Sequence, residues 1–349
     1  MKDIKIDLSA SKNAKNIYTD GDFTFEMIPD FVQFPNPDWE FEYVGSGCCS
    51  ADGILYVFMR DAISRIAKYD AETGEYLGDI QTSLIKGLHF GCVTPENTLI
   101  LVDVPNHCAV EMSLEGEEIQ VFGERGKASD SGRDNLYWKR ERRYGTQFPT
   151  EIECYFTSEK WEFHEAGKRI THCAEPFNMP TSVTCTNDGK VYFGDGYGNC
   201  AVHCFSRDGK LLSTWGDTVN GPNHSYNPGP GKFLFVHGVE TDSKERVWAN
   251  DRENNAVNVF DKDGNVVAYL HGNLGQPSDL HFDGEFMYVV GRAGYMTIFD
   301  MDFNIKAQVG YFNSDIKAHG ISGNSKGDIF LFPTKANPDH QVIKLKRIK

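Results

Sequence analysis

Three histidines in similar local sequences are the residues in this chain best suited to hold a metal ion. His89, His237 and His319 occur in the stretches LHFG, FVHG and KAHG. A glycine follows each of them within two residues, and glycine lets backbones approach closely where space is limited. Three imidazoles with an open fourth position form a metal site typical of zinc enzymes. We therefore predict a zinc site, or a site for another transition metal such as iron or manganese.

An internal sequence repeat of six units would bring these histidines together. Each unit has a short apolar run, a polar turn and further strand-like runs, with a period of roughly 40 residues. The turns and the runs after them are ADGILYVFMR, PENTLILVDV, NDGKVYFGDG, SKERVWANDR, FDGEFMYVVG and SKGDIFLFPT. Four short strands in each of six units predict an all-β, six-bladed β-propeller. An irregular β-sandwich is the alternative, but a sandwich has no reason to repeat one plan six times.

The histidines share one register position within the repeat. When the units are aligned on the turn after their first strand, the residue eight positions before the aligned turn position is Gly45, His89, Thr181, His237, Ser278 or His319. The histidines fall in alternate units, which a six-bladed ring places about 120° apart. Because the first strand of each blade lines the central channel, the three side chains should point to one spot on the axis. The histidines at other register positions are interpreted as structural or surface residues in outer strands or turns: His107, His203, His271, His281 and His340.

The whole chain, 1–349, is predicted to form a single propeller domain. The last unit ends after its third strand, QVIKLKRIK, and the N-terminal run 22–28 could add the missing outer strand and close the ring. The long connection 123–178 is predicted to be an insertion over the face that carries the histidines. Whether it acts as a lid, a subunit contact or a solvated excursion stays open.

Composition excludes several classes of partner. The net charge of −15 argues against a nucleic acid or an anionic membrane surface. No run of eighteen apolar residues occurs, and the N-terminus lacks the apolar segment of a signal peptide. The nine cysteines are odd in number and contain no CxxC pair, which is typical of reduced thiols in a cytoplasm. We predict a cytoplasmic protein, and the oligomeric state stays open.

Further polar residues should share the face of the histidines. Because the first two strands of a blade are antiparallel, the loop after the second strand reaches the same face. These loops contain Arg60, Asp195, Tyr197, Asp251, Arg252 and Arg292. Arginine holds a carboxylate through two hydrogen bonds, and a tyrosine whose phenolate is favoured by nearby positive charge can act as a general base. This set predicts a small anionic substrate. For Arg252, a salt bridge to a neighbouring acid is the favoured alternative.

At these residues the sequence resembles the peptidyl-α-hydroxyglycine α-amidating lyases, also called peptidylamidoglycolate lyases. The resemblance covers roughly residues 40–345 and is strongest in 177–260, in segments such as DGYGN and NDREN. It implies an NHL-type six-bladed propeller in which His89, His237 and His319 bind zinc. It also implies that Tyr197 and Arg60 are catalytic. Enzymes of the family cleave the C–N bond of an N-acyl-α-hydroxyglycine to give an amide and glyoxylate.

The chain departs from that family at several positions. Secreted members carry two disulfides, whose places are taken here by Asn178 with Gly198 and by Trp248 with Val259. Gly320 stands where the family has an aspartate that helps to bind structural calcium, which argues against calcium here. The connection 123–178 is also much longer than that of the family.

Three functions remain in competition at this point. The first is a metal-dependent lyase for a carboxylate-bearing carbinolamide, either an N-acyl-α-hydroxyglycine or a ureidoglycolate-like compound. The second is a metal hydrolase of the lactonase kind, a class that usually binds calcium through carboxylates and asparagine. The third is a non-catalytic NHL scaffold that binds a protein partner.

Overall fold

The chain is all-β in the computed structural model. The structure describes residues 1–7, 12–32, 35, 41–61, 64–133, 170–221, 226–333 and 341–348, without the side chains of 12–13, 41–43 and 60–61. In these ranges no helix occurs, and the strands form six antiparallel sheets of four strands each, with a few added strands. The prediction of a six-bladed β-propeller is confirmed.

The six blades follow one another along the chain. Blades 1 and 2 consist of β5 (Phe41–Cys49), β6 (Ile54–Asp61), β7 (Ser64–Asp70), β8 (Tyr76–Thr82), β9 (Leu88–Val93), β10 (Leu99–Asp103), β11 (Cys108–Met112) and β12 (Glu118–Gly123). Blades 3 and 4 consist of β13 (Ser182–Cys185), β14 (Lys190–Asp195), β15 (Ala201–Ser206), β16 (Leu211–Trp215), β19 (Val236–Thr241), β20 (Val247–Asp251), β21 (Ala256–Phe260) and β22 (Val266–Gly272). Blades 5 and 6 consist of β23 (Pro277–Phe282), β24 (Met287–Gly291), β25 (Tyr295–Phe299), β26 (Ile305–Gly310), β27 (Gly320–Gly323), β28 (Ile329–Phe332) and β29 (Ile343–Arg347). The remaining strands are β1 (Lys2–Ile6), β2 (Lys12–Ala14), β3 (Ile17–Asp20), β4 (Phe23–Ile28), β17 (Asp217–Thr218) and β18 (Lys232–Phe233).

The N-terminal segment closes the ring. Strand β4 pairs antiparallel with β29, with Leu345 opposite Met27, and so supplies the fourth strand of blade 6. The predicted closing strand is therefore confirmed. Strands β3 and β2 extend the same sheet, and β1 lies parallel to β22 at the edge of blade 4. Covering these edges removes hydrogen-bonding groups that would otherwise be open to other chains.

The inner strands form a continuous ring around the channel. Each first strand contacts the first strand of the next blade, and β27 contacts β5. Between the blades lies the apolar core, for example Phe122, Phe177, Phe193 and Phe205 between blades 2 and 3. Fully burying one such side chain contributes roughly 1.5–3 kcal/mol. This packing fixes the inner strands relative to one another, and thereby fixes the height of every channel residue.

The insertion 123–178 follows β12 and precedes β13, but 134–169 of it lies outside the described residues. Its placement over the histidine face therefore stays a prediction. Both of its ends are described, and they lie against the loop that carries Tyr197. No helix long and apolar enough to cross a membrane occurs in the part of the chain that the structure describes.

Candidate metal centre and active site

The fold brings the three predicted histidines together on the channel axis. His89 lies in β9, His237 lies in β19, and His319 directly precedes β27. All three side chains are buried, and each offers a ring nitrogen within 4.8 Å of those of the other two. Among the described residues this is the one group of His, Cys, Asp or Glu that brings three possible ligand atoms so close.

Each imidazole is oriented by the backbone of the next blade. The Nδ1 atoms of His89, His237 and His319 lie 2.6, 2.6 and 2.7 Å from the carbonyl oxygens of Thr181, Ser278 and Gly45. A carbonyl oxygen only accepts hydrogen bonds, so each Nδ1 carries the proton and each Nε2 keeps a lone pair. Second partners of this kind are typical of histidines that bind metals. The acceptors are the residues that alternate with the histidines at the shared register position.

Tyr197 completes the centre. Its hydroxyl oxygen lies 2.8 Å from Nε2 of His89 and 2.8 Å from Nε2 of His237. A phenol has one proton and can donate it to only one of these nitrogens, so the other contact brings two lone pairs together. A second proton on an imidazole is disfavoured, because burial and then the charge of Arg252 hold the pKa of His237 well below its usual value. A cation among these atoms would satisfy the lone pairs, so the donor set fits a three-histidine metal ion.

The loop after β14 holds Tyr197 in place through close backbone packing. A Cβ atom at Gly196 would overlap the backbone of Val236, and one at Gly198 would overlap Asn178. Tyr197 itself is 0% exposed. The two glycines of DGYGN are therefore needed because the loop lies directly on its neighbours.

We expect Gly196→Ala to lower the free energy of unfolding by about 2 kcal/mol, because the added methyl group must push the loop off β19. Denaturant or thermal unfolding of the purified variant measures this loss. Gly229→Ala is the matched control, since a Cβ atom at Gly229 meets nothing within 4 Å. Equal stability of the two variants would show that the loop does not pack as described.

Asp195 braces the Tyr197 loop and does not point at the histidines as a ligand. Its Oδ2 accepts hydrogen bonds from the backbone N–H of Asn178 and from Nδ2 of Asn199, both at 2.8 Å. Asp251 repeats the brace one blade on, where its carboxylate accepts from the backbone N–H groups of Leu234 and Phe235. Burial raises the pKa of Asp251 to about 6, while these hydrogen bonds oppose that rise. The two carboxylates position the inner strands.

The arginines occupy different surroundings. Arg252 is buried and donates from Nε to Glu253 at 2.7 Å, as the salt-bridge alternative predicted, and its guanidinium lies 5.9 Å from the centre of the Tyr197 ring. Arg292 is half-buried in the loop after β24. The backbone of Arg60 lies in β6 opposite Tyr43, and its side chain is outside the described part of the structure. The catalytic role of Arg60 and the substrate-binding roles of the other two stay predictions.

The remaining histidines include one that we placed wrongly. Nε2 of His203 donates to the carboxylate of Asp195, and its Nδ1 pairs with the hydroxyl of Thr214. His107 accepts from the backbone N–H of Met179, so both histidines are structural. His281 lies in β23, which is an inner strand, and not in an outer strand or turn. It stands three residues after Ser278, where blade 4 has Glu240, and so follows the common register further along the inner strand. His340 lies outside the described residues.

A cavity lies in the channel at the mouth opposite the histidine centre. It has a volume of about 240 Å³, and its lining includes Phe90, Thr184, Glu240, Asp279 and His281. The ring of Phe90 also stacks on His319, with centroids 5.1 Å apart, and so separates this cavity from the histidine centre. Burial raises the pKa of Glu240 to about 7. Thr184, Glu240 and His281 each stand three residues after the shared register position of their blade, a second position of the repeat that the site prediction left out.

We expect Glu240→Gln to stabilise the protein at pH 8 by about 2 kcal/mol and to change little at pH 5. The folded pKa of Glu240, about 7, lies above the usual 4.5, so the stability of the wild type falls as pH rises through that window. Oε1 accepts both described hydrogen bonds, from Thr184 and Thr241 at 2.7 Å, and a glutamine oxygen can keep them. Denaturant unfolding at the two pH values measures the difference, with the exposed Glu115→Gln as control. Equal effects at both pH values would contradict the assigned pKa.

Comparison with known proteins agrees with this architecture. The chain is 33% identical over 118 residues to NHL repeat-containing protein 3 of Homo sapiens, a match that covers 32% of each chain. It is 32% identical over 102 residues to peptidyl-alpha-hydroxyglycine alpha-amidating lyase 1 of Drosophila melanogaster, covering 28% of this chain and 18% of that protein. The chain is a six-bladed β-propeller with relatives among the NHL-repeat proteins and the amidating lyases. The matches span a third or less of the length of these relatives.

Solved structures share the fold of this propeller. A gluconolactonase from Xanthomonas campestris superimposes with a TM-score of 0.56 at 12% identity, covering 93% of this chain and 90% of that chain. At this identity the likeness concerns the fold alone. No protein-family model matches the propeller.

The positions at which the propeller departs from the amidating lyases are close in space. Asn178 lies against Gly198, and Trp248 lies opposite Val259 on neighbouring strands. Gly320 contacts Ser46 from the adjacent blade and brings no carboxylate to the place of the calcium ligand. The expectation that calcium does not bind stays a prediction.

Proposed function

We propose that this protein is a metal-dependent lyase that cleaves the C–N bond of a small carboxylate-bearing carbinolamide. The substrate is an N-acyl-α-hydroxyglycine or a ureidoglycolate-like compound, and the products are glyoxylate and an amide. The observation that carries the proposal is the convergence of three histidine side chains, two of which have their Nε2 atoms 2.8 Å from the Tyr197 hydroxyl. The partial similarity to a protein named as an α-hydroxyglycine amidating lyase supports the reaction class.

His89, His237 and His319 would hold the metal, with zinc as the first choice and iron or manganese as alternatives. When bound, such an ion polarises a substrate oxygen as a Lewis acid. The histidines contribute neutral donors, because their Nδ1 protons are committed to backbone carbonyls. The carbonyls also hold each ring against rotation, so the donors do not need to reorganise when the metal binds.

Tyr197 acts as the base in this proposal. Its phenolate oxygen takes the proton of the substrate hydroxyl, and the electron pair of that O–H bond becomes the second bond of the glyoxylate carbonyl. The C–N bond breaks at the same carbon, its electron pair stays on the amide nitrogen, and the proton passes from Tyr197 to that nitrogen. Complete burial of Tyr197 keeps bulk water from competing for the proton.

Arginine side chains would bind the substrate carboxylate and favour the phenolate. We assign Arg252 to substrate binding and also to the support of Tyr197, because its guanidinium lies over the phenol ring while Nε is paired with Glu253. We assign Arg60 to the same support of the phenolate, and Arg292 to the carboxylate. A small anionic compound is therefore the proposed partner. We keep the cytoplasm as the proposed location, because nine irregularly spaced cysteines suit a reducing compartment.

Metal content and glyoxylate release test the function together. We expect the purified protein to contain about one transition metal per chain and to release glyoxylate from α-hydroxyhippurate or from ureidoglycolate. A chelator should remove both the metal and the activity. A metal-loaded protein that opens a lactone and releases no glyoxylate from either compound would favour the hydrolase. Protein with intact histidines and no metal would overturn the proposal.

A further inference from the structure

We propose that Cys173 and Cys200 form a reversible disulfide that ties the end of the insertion to the loop carrying Tyr197. Their Sγ atoms lie 3.1 Å apart, and the Cys173 thiol lies 3.0 Å from the carbonyl oxygen of Cys200. Cys200 stands three residues after Tyr197, and Cys173 stands four residues after the undescribed part of the insertion. The inference concerns thiol chemistry and does not depend on the proposed function.

Hydrogen bonds hold the two thiols in register before any bond forms. The backbone N–H of Ala174 donates to Oδ1 of Asn199 at 3.1 Å, and Nδ2 of Asn199 donates to the carbonyl of Ala174 at 2.8 Å. This reciprocal pair joins the residues that directly neighbour Cys173 and Cys200. A disulfide needs a sulfur separation near 2.05 Å, so the sulfurs must approach by about 1 Å. The proposal requires rotations of the two side chains that bring the sulfurs together by this amount.

The same loop also receives the other end of the insertion. Ser131 donates its hydroxyl to the carbonyl of Gly198, and the backbone N–H of Thr171 donates to the carbonyl of Ser131 at 3.0 Å. Both ends of the insertion therefore rest on residues 195–200. A covalent link at Cys200 would fasten the C-terminal end of the insertion to the Tyr197 loop.

The two thiols differ in access, which sets the order of the chemistry. Cys173 is partly exposed and Cys200 is 0% exposed. The hydrogen bond with Cys173, followed by burial, raises the pKa of Cys200 well above its usual value. An oxidant therefore meets Cys173 first, and Cys200 acts as the resolving thiol.

Hydrogen peroxide is a sufficient oxidant for the balanced reaction. Cys173 loses its thiol proton and its sulfur attacks one peroxide oxygen; the O–O bond breaks, a sulfenic acid forms, and the leaving hydroxide takes up that proton as water. The Cys200 sulfur then attacks the Cys173 sulfur, the S–O bond breaks, and a second water leaves. In total the two thiols lose two electrons and two protons. A dithiol such as dithiothreitol reverses the reaction by exchange.

Mass spectrometry of the full chain tests the proposal. The protein is treated with one equivalent of hydrogen peroxide, its remaining thiols are alkylated under denaturing conditions, and the peptides are mapped. We expect a peptide pair linked through Cys173 and Cys200 that disappears after dithiothreitol. We also expect a rise in Tm of roughly 5 °C on oxidation, because the link shortens the free chain in the unfolded state.

Two variants separate this bond from other thiol reactions. Cys173→Ser should lose both the linked peptide and the rise in Tm. The matched control is Cys92→Ser, which breaks another close thiol pair, Cys92 and Cys185 with sulfurs 3.4 Å apart, and should leave the link unchanged. Full alkylation of Cys173 and Cys200 after oxidation of the folded wild type would overturn the proposal.

Discussion

His237→Ala should strip most of the metal from the purified protein, with a fall in metal affinity of more than about 100-fold. Loss of a residue that only supports a ligand already costs 10–100-fold, and this variant loses a ligand. His237 is fully buried, and its Nε2 lies among the nitrogens of the other two histidines, so a water molecule in its place would be a poor substitute. Elemental analysis of wild type and variant, purified in parallel, measures the loss.

His281→Ala is the control for this experiment. His281 also lies in an inner strand, but it lines the cavity at the opposite mouth of the channel, beyond Phe90. Its removal should leave the metal content unchanged. The metal centre would be misassigned if both variants kept their metal, or if both lost it while still folded. A chelator should also lower the Tm of the wild type and leave His237→Ala unaffected, because only a folded site that binds metal gains stability from it.

Tyr197→Phe should lower kcat by about 10²–10⁴-fold, the usual contribution of a positioned general base. The phenylalanine ring can occupy the same buried space, so the loop between Gly196 and Gly198 has no reason to move. The metal content should therefore stay at the wild-type level. Glyoxylate release and elemental analysis on the same preparation measure the two quantities together.

Tyr226→Phe is the matched control, because Tyr226 lies on the connection 216–234 and is 52% exposed. Its turnover should equal that of the wild type. Full activity of Tyr197→Phe would remove Tyr197 from the mechanism. Together with His237→Ala, the pair of results distinguishes a failure of metal binding from a failure of proton transfer.

The sequence alone determined the fold and the identity of the three histidines. Strand length, turn composition and the register of the repeat are local properties, and they place one residue of each unit at the same height of the channel. The alternation of His89, His237 and His319 with small residues is a property of the repeat itself. The closing strand 22–28 was predictable for the same reason, because the last unit lacked one strand.

One register position was enough to find the three histidines, but the channel residues further along the inner strands were missed. His281 and Glu240 each stand three residues after the shared register position, and both line the same cavity, so the repeat does mark them. The cavity around Glu240 was missed as well. The pKa of Glu240 depends on burial by several blades at once, and the sequence of one blade does not predict that burial.

Only the tertiary structure decided how the histidines are held and what meets the Tyr197 loop. The acceptors of the three Nδ1 protons are backbone carbonyls. Every residue type carries the same carbonyl, so residue types alone do not predict these hydrogen bonds. The pairing of Cys173 with Cys200 likewise depends on how the ends of the insertion return to blade 3. Local patterns fix which residues share a strand face, whereas the distances between blades fix which atoms meet.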